Sequence, residues 1–260
     1  MMQVGTDKPT REEVEGLDYS FYDEFTPDQD ISVLDFQKEG RAKIEECEKK
    51  GKDLLVVGGT FLYVKALLFP YYFPKEEKVP HKSKYDSYSL EEMQEELRKR
   101  SPETYSLIDT KNPRRLIRAL EQLDDGTKRE EILSQNNGKP LYPCKFYGIQ
   151  IDKDEGNKKI DDRIDKMVKD GLFEEAKKLY LAYPFSSRPF STIGYQEIFA
   201  CYKEGKEPDE TTIALIKTHT HQYAKKQRTF LRHQFADLLT LGSKEEIRSL
   251  LEKELSGKRE

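Results

Sequence analysis

The chain has little cysteine. Three thiols in 260 residues, Cys47, Cys144 and Cys201, lie far apart, are odd in number and form no CxxC. That usage excludes a disulfide framework and fits a reducing compartment. Long apolar runs are also missing. None reaches the ~20 residues of a membrane span, and the leading MMQVGTDKPT has no apolar signal region. A soluble, cytoplasmic protein is expected. A bulk positive field is absent too, since the formal charge is −4. A partner rich in phosphate would have to meet cations gathered locally. No GxxxxGK[ST] phosphate loop occurs; the Gly-Lys pairs at 51, 138, 205 and 257 have no glycine five residues earlier. The four histidines have no metal-ligand spacing, so no metal site is expected, and no GxSxG elbow supports a nucleophilic serine.

What is present is charge. Charged side chains make up 36% of the chain and the mean hydropathy is −0.86, so much of the surface must be solvated helix. One stretch gathers its cations without opposing acids: IALIKTHTHQYAKKQRTFLRHQF, 213–235. On a helix, Lys217, His221, Lys225, Arg228 and Arg232 recur at four, four, three and four residues, which places them on one stripe. Ile216, Tyr223 and Phe230 fall roughly opposite and are expected to enter a core. The stripe reads as an anion-binding face for nucleic-acid phosphates; a solvated face is the alternative.

Taken in order, residues 1–30 are polar and turn-rich. Ser32 caps a helix that Gly51 ends, and DLLVVGG (53–59) has the look of a parallel strand buried on both faces. Thr60 opens the next helix. Helix, strand, tight turn and helix in succession belong to α/β folds. Gly58 and Gly59 either turn backbone N–H groups toward a ligand or serve only tight packing. Pro70–His81 reads as a connection leaving the sheet. Ser89 with Glu92, Ser101-Pro102 and Asn112-Pro113 open three helices. In the last, Arg114, Arg115 and Arg118 hold phosphates or pair with Glu121. KFYGIQID returns as a strand, and from Lys159 onward the chain is helical with a break at Asp170-Gly171. The charged tail beyond Gly242 is expected to fray.

Several segments resemble the tRNA dimethylallyltransferases (tRNA isopentenyltransferases): MQV and GTDKPT at 2–10, SVLDFQ at 32–37 and LLVVGGTFLYVKALL at 54–68. NPRRLIRALE at 112–121, RIDKMVKDGLFEEAKKL at 163–179, IGYQE at 193–197 and YAKKQRTFLR at 223–232 continue it in the family's order. The resemblance implies a P-loop NTPase-like parallel sheet with an inserted helical lobe. The α/β core would take 1–69 and 142–242, the lobe 70–141, with a charged tail at 243–260. It also implies transfer of a dimethylallyl group from its diphosphate, with Mg²⁺, to N6 of the adenosine 3′ of the anticodon.

Carried over, Gln3 lies at the target base and Thr60 in a tRNA-contacting GGT turn after Gly58 and Gly59. Arg114, Arg115 and Arg118 form one basic tRNA-contacting helix. Tyr223, Lys225, Lys226, Gln227 and Arg228 lie on a second, which the stripe extends to Lys217, His221 and Arg232. Thr6 and Lys8 form a turn beside the active site. The family's phosphate loop, N-terminal strand and general-base aspartate would stand before Met1, so no catalytic residue is assigned. Tyr19-Ser20-Phe21 replaces a His-His pair, and Ser191 stands where Gln or Arg precedes IGY. Three readings follow. The chain is a family member with impaired transfer, a non-catalytic binder of anticodon loops, or, less well supported, a nucleotide kinase. A monomer is expected, with self-association through an exposed sheet edge.

Overall fold

The computed structural model describes residues 2–29, 31–71, 73, 83–126, 138–183 and 188–256. The chain divides into two compact units, residues 32–144 and residues 1–31 with 145–260. The sequence reading placed its boundaries at 70 and 142, so segment 32–69 falls with the helical lobe in this division.

In the unit 32–144, helix α1 (Val33–Lys49) starts where its chemistry dictates. Ser32 accepts from the Asp35 N–H, and the Asp35 carboxylate accepts from the Ser32 N–H, closing a reciprocal cap. Gly51, at φ +63°, follows its end. Helix α2 (Phe61–Leu68) lies against α1 through a feature no local pattern reveals. Gln37 Nε2 donates to the Ala66 and Tyr71 carbonyls at 2.7 and 2.9 Å. Arg41 donates to the carbonyls of Leu67, Ala66 and Phe69 at 3.1, 3.0 and 2.6 Å. The orphan carbonyls of α2 thus meet a cation at the negative end of the helix dipole.

Helices α3 (Leu90–Arg100), α4 (Pro102–Leu107) and α5 (Pro113–Asp124) begin at the expected caps: Ser89 with Glu92, Ser101 and Asn112. Their inward faces bring Met93, Leu97, Leu116, Ala119 and Leu120 together with Tyr85. The Tyr85 hydroxyl meets Asp124, 2.9 Å from Oδ2, and Arg100 joins Asp124 at 2.9 Å. Burial alone would raise the Asp124 carboxyl, but Lys84, Tyr85 and Arg100 together hold it below its ordinary value.

The expected strand at 53–59 is not formed. Leu55 and Val57 are 71% and 77% exposed, and the segment pairs with no strand among the described residues. An extended apolar run becomes a strand only when a neighbour takes its backbone N–H and C=O groups. The expected connection at 70–81 lies partly outside the described residues.

In the other unit, β1 (Phe146–Ile149) pairs in parallel with β2 (Leu239–Gly242), Phe146 opposite Leu239 and Ile149 opposite Gly242. Between them run α6 (Lys153–Lys169), α7 (Leu172–Ala182), α8 (Tyr195–Lys203) and α9 (Glu210–Gln234). Gly171, at φ +99°, makes the expected break between α6 and α7. Ile164, Met167, Leu172, Ala176, Leu179, Ile198, Phe199, Ile213 and Ile216 form the core of these helices. Tyr223 departs from expectation: it is 39% exposed rather than in that core. Beyond Gly242 the tail is helix α10 (Lys244–Ser256), anchored by buried Ile247.

Candidate functional site

Residues 2–9 form a tight turn, and the glutamine and lysine singled out from sequence lie in it. The Thr6 hydroxyl donates to the Met2 carbonyl at 2.6 Å, and the Asp7 N–H to that of Val4 at 3.0 Å. Gln3 Nε2 reaches across to the carbonyls of Lys8 and Pro9 at 3.0 and 3.3 Å. The turn is fixed from outside by one carboxylate. Glu175, in the first turns of α7, accepts from the N–H groups of Gln3, Val4 and Gly5 at 2.8, 3.0 and 3.0 Å. The Tyr195 hydroxyl, from α8, donates to the same carboxylate at 2.6 Å. Burial pushes the Glu175 carboxyl up, but these four donors outweigh it and hold the group below its ordinary value. Tyr195 is fully buried, and burial raises its phenol well above the usual range. Gly5 is required here, because a Cβ would sit 2.5 Å from Tyr195 Cζ. Lys8 is not a free cation: it pairs with Asp23 and lies 5.5 Å over the Tyr22 ring. The hydrogen bond from Lys8 lowers the Asp23 carboxyl.

The stripe on α9 divides in two. Lys217 Nζ is 2.6 Å from Asp165 and His221 Nε2 is 2.9 Å from Asp161. The two acids are one helical turn apart on α6, as the two bases are on α9. The His221–Asp161 atoms are shielded from solvent and close, but oriented too poorly for a hydrogen bond. Between them on α9, His219 Nδ1 meets the buried carboxylate of Glu197 at 2.5 Å. Glu197 also accepts from the Gly194 N–H at 2.7 Å, so IGYQE is tied to α9 by its own acid.

One turn further, Lys225, Lys226 and Arg232 are exposed and Arg228 is half-buried. None of the four has an ion pair among the described residues. The single anion-binding face expected from spacing is therefore two surfaces, one neutralised by α6 and one open. Tyr223 is exposed and Gln227 half-buried on the open part.

In the other unit, Arg114, Arg115 and Arg118 are exposed on the first turns of α5. Arg115 is 3.9 Å from Asp109, a loose pair between two half-exposed side chains. The alternative pairing with Glu121 is not present among the described residues. Gly58 and Thr60 are exposed, and a Cβ on Gly58 would meet nothing within 4 Å. Tight packing is thus not what requires that glycine. Thr60 stands at the α2 N-terminus without a side-chain cap bond to it. Among the described residues no three His, Cys, Asp or Glu side chains cluster as a metal site. Those residues therefore offer no all-protein cage for Mg²⁺, an ion usually held by one or two carboxylates together with substrate phosphates. No helix there is long and apolar enough to cross a membrane.

The chain as a whole has known counterparts. The family profile described as IPP transferase matches residues 1–234. The chain belongs to that family. A tRNA dimethylallyltransferase of Bacillus velezensis is 34% identical over 239 residues, covering 90% of this chain and 76% of the relative. The tRNA isopentenylpyrophosphate transferase of Bacillus halodurans superposes with a TM-score of 0.67 at 28% identity, covering 99% of this chain and 83% of that one. A eukaryotic dimethylallyltransferase acting on tRNA shares the fold, with a TM-score of 0.78 at 23% identity over 94% of this chain and 64% of that one. The α/β, P-loop-type class expected from sequence is the fold class of this IPP transferase family member.

Sequence reasoning missed Glu175, Tyr195 and Gly5, and the partners Asp161, Asp165 and Glu197. One signal was available. Asp161 and Asp165 share the four-residue spacing of Lys217 and His221, and matched spacings on two amphipathic helices suggest facing rows.

Proposed function

We propose that this chain binds tRNA at the anticodon loop and belongs to the chemistry that moves a dimethylallyl group from dimethylallyl diphosphate to N6 of the adenosine 3′ of the anticodon. The observation that carries the reading is the family match over residues 1–234. The open cations of α9 and the exposed arginines of α5 support it. Lys225, Lys226, Arg228 and Arg232, with Arg114, Arg115 and Arg118, contact phosphates; Lys217 and His221 contribute only where their α6 acids release them. Tyr223 and Gln227 offer stacking and hydrogen bonding beside those cations. Gln3, in its braced turn, meets the base. Gly58, Gly59 and Thr60 present the N-terminus of α2 to the nucleic acid, with Thr6 and Lys8 in the turn beside the reacting centre.

The reaction makes two demands. An exocyclic amine is a weak nucleophile and needs alignment with the allylic carbon and a base for its proton. The diphosphate leaves only if its charge is absorbed. Mg²⁺ would arrive bound to that diphosphate. These 260 residues contain no phosphate loop, and no general base is identified among them. We therefore expect transfer by this chain to be slowed by at least the ~10²–10⁴-fold typical of a missing general base. A non-catalytic binder of anticodon stem-loops is the second reading, favoured by the same lack.

The test incubates the purified chain with tRNA and labelled dimethylallyl diphosphate. Salt-dependent tRNA retention with transfer far below the related enzymes is expected. Transfer at their full rate would overturn the impairment. Retention indifferent to ionic strength would overturn the phosphate-contacting surface. We place the protein in the cytoplasm with its tRNA. As a monomer it exposes the apolar 54–57 run, through which it self-associates at high concentration, a point a sizing column checks.

A further inference from the structure

We propose that Glu175 and Tyr195 are positioning residues that set the Gln3 carboxamide as an acceptor for a base-edge N–H donor of the bound RNA. The inference rests on the reading of Gln3 as the base contact. Its new content is the device that holds Gln3, built from α7 and α8, far away in sequence.

Three observations carry it. One carboxylate accepts from three successive backbone N–H groups, those of Gln3, Val4 and Gly5, and so fixes the peptide planes on both sides of Gln3. Tyr195 then aims that carboxylate through a 2.6 Å hydrogen bond and, from beneath, leaves room for nothing larger than glycine at position 5. The third observation concerns the side chain itself. Both protein partners of the Gln3 carboxamide, the Lys8 and Pro9 carbonyls, are acceptors. Only the –NH₂ end can face them, so the orientation of the amide is dictated by chemistry. Its oxygen has no hydrogen bond among the described residues. A half-buried acceptor with a fixed direction suits an N–H donor on a nucleobase edge, and adenine carries one in its exocyclic amine.

A carboxylate that only fastened residues 2–5 to the core would need none of this. One bond would suffice, and the direction of Gln3 Oε1 would be immaterial. A positioning role is separable from a structural one because it acts only through Gln3.

The experiment compares two anticodon stem-loops by filter binding. One has adenosine 3′ of the anticodon; the other has purine riboside there, which lacks the exocyclic amine. The native chain is expected to prefer the adenosine loop by about 5- to 10-fold, the value of one hydrogen bond in a desolvated site. Gln3→Ala brings the ratio close to one. So does Glu175→Gln, which keeps shape but replaces one acceptor oxygen with a donor, while the salt dependence of binding stays unchanged. Tyr195→Phe gives an intermediate ratio.

The deciding readout is the double variant. Glu175→Gln added to Gln3→Ala should change the ratio no further, whereas a general loss of structure would add its own effect. An unaltered ratio in Glu175→Gln overturns the proposal, as does additivity in the double variant. If Glu175→Gln does not fold, Tyr195→Phe decides: a native ratio there also overturns it. If Gln3→Ala leaves the native preference intact, Gln3 is not the base contact and the proposal falls, while salt-dependent binding keeps the tRNA reading alive. Failure to bind either loop at any salt concentration overturns both.

Discussion

The two halves of helix α9 carry the same kinds of side chain at the same spacing, and the fold puts them in opposite settings. Lys217 and His221 face Asp165 and Asp161 across the α6–α9 contact. Lys225, Arg228 and Arg232 continue the same stripe with no ion pair among the described residues. A cation one turn inside the acidic row is a packing element. One turn beyond it, the same kind of cation is left without an ion pair among the described residues. Periodicity defines a face, and what that face meets defines its purpose.

The sharpest way to break this comparison is charge reversal in the open half. Lys225→Glu with Arg228→Glu and Arg232→Glu should weaken binding of an anticodon stem-loop by at least about 100-fold at moderate salt, because three phosphate contacts become repulsions. The melting temperature should barely move, since none of the three holds another helix. If binding survives, the two halves do not differ as described.

Next in size is Asp165→Ala, read by thermal melting. Loss of the half-exposed Lys217 pair should cost about 1 kcal/mol, a fall of about 2–4 °C for a chain of this length. The same change frees Lys217, so RNA binding at low salt should tighten by about twofold. Tightening together with destabilisation would be the mark of a cation diverted from the RNA.

A finer measurement is the slope of log K against log salt. Lys225→Ala should reduce it by about one unit of charge, and Lys217→Ala should leave it unchanged. Equal effects would erase the division.

The smallest effect concerns an acid that serves donors instead of cations. Glu175 has a folded-state pKa below its ordinary 4.5, so the native state binds its proton less readily than the unfolded chain. Its contribution is therefore fully present above pH 4.5 and is lost as pH falls through the lower folded value. Denaturant titrations below pH 4.5 should show a shallower loss of stability in Glu175→Gln than in the native chain.

Much of the helical framework was legible in the residues. Ser32 with Asp35, Ser89 with Glu92, Ser101-Pro102 and Asn112-Pro113 mark helix starts because a cap acts within three residues of itself. Gly171 marked a break for an equally local reason, its positive φ. The strand expected at 53–59 failed because pairing is a property of neighbours. The helix at 244–256 was expected to be a fraying tail, since what anchors it, buried Ile247 and the Lys145–Glu254 ion pair, depends on partners elsewhere in the fold. At the candidate site, the turn at 2–9 and the basic stretch were visible as patterns. Their brace and their division were not.

By itself, the order of residues determined where helices begin, which faces are apolar and which carry charge, and the family to which the chain belongs. These rest on interactions reaching three or four positions along the backbone. Only the tertiary structure decided which cations are already neutralised and which carboxylate grips residues 3–5. Glu175 and Gln3 are separated by 172 positions, and an ion pair or hydrogen bond across such a span exists only once packing has brought the two groups within about 3 Å.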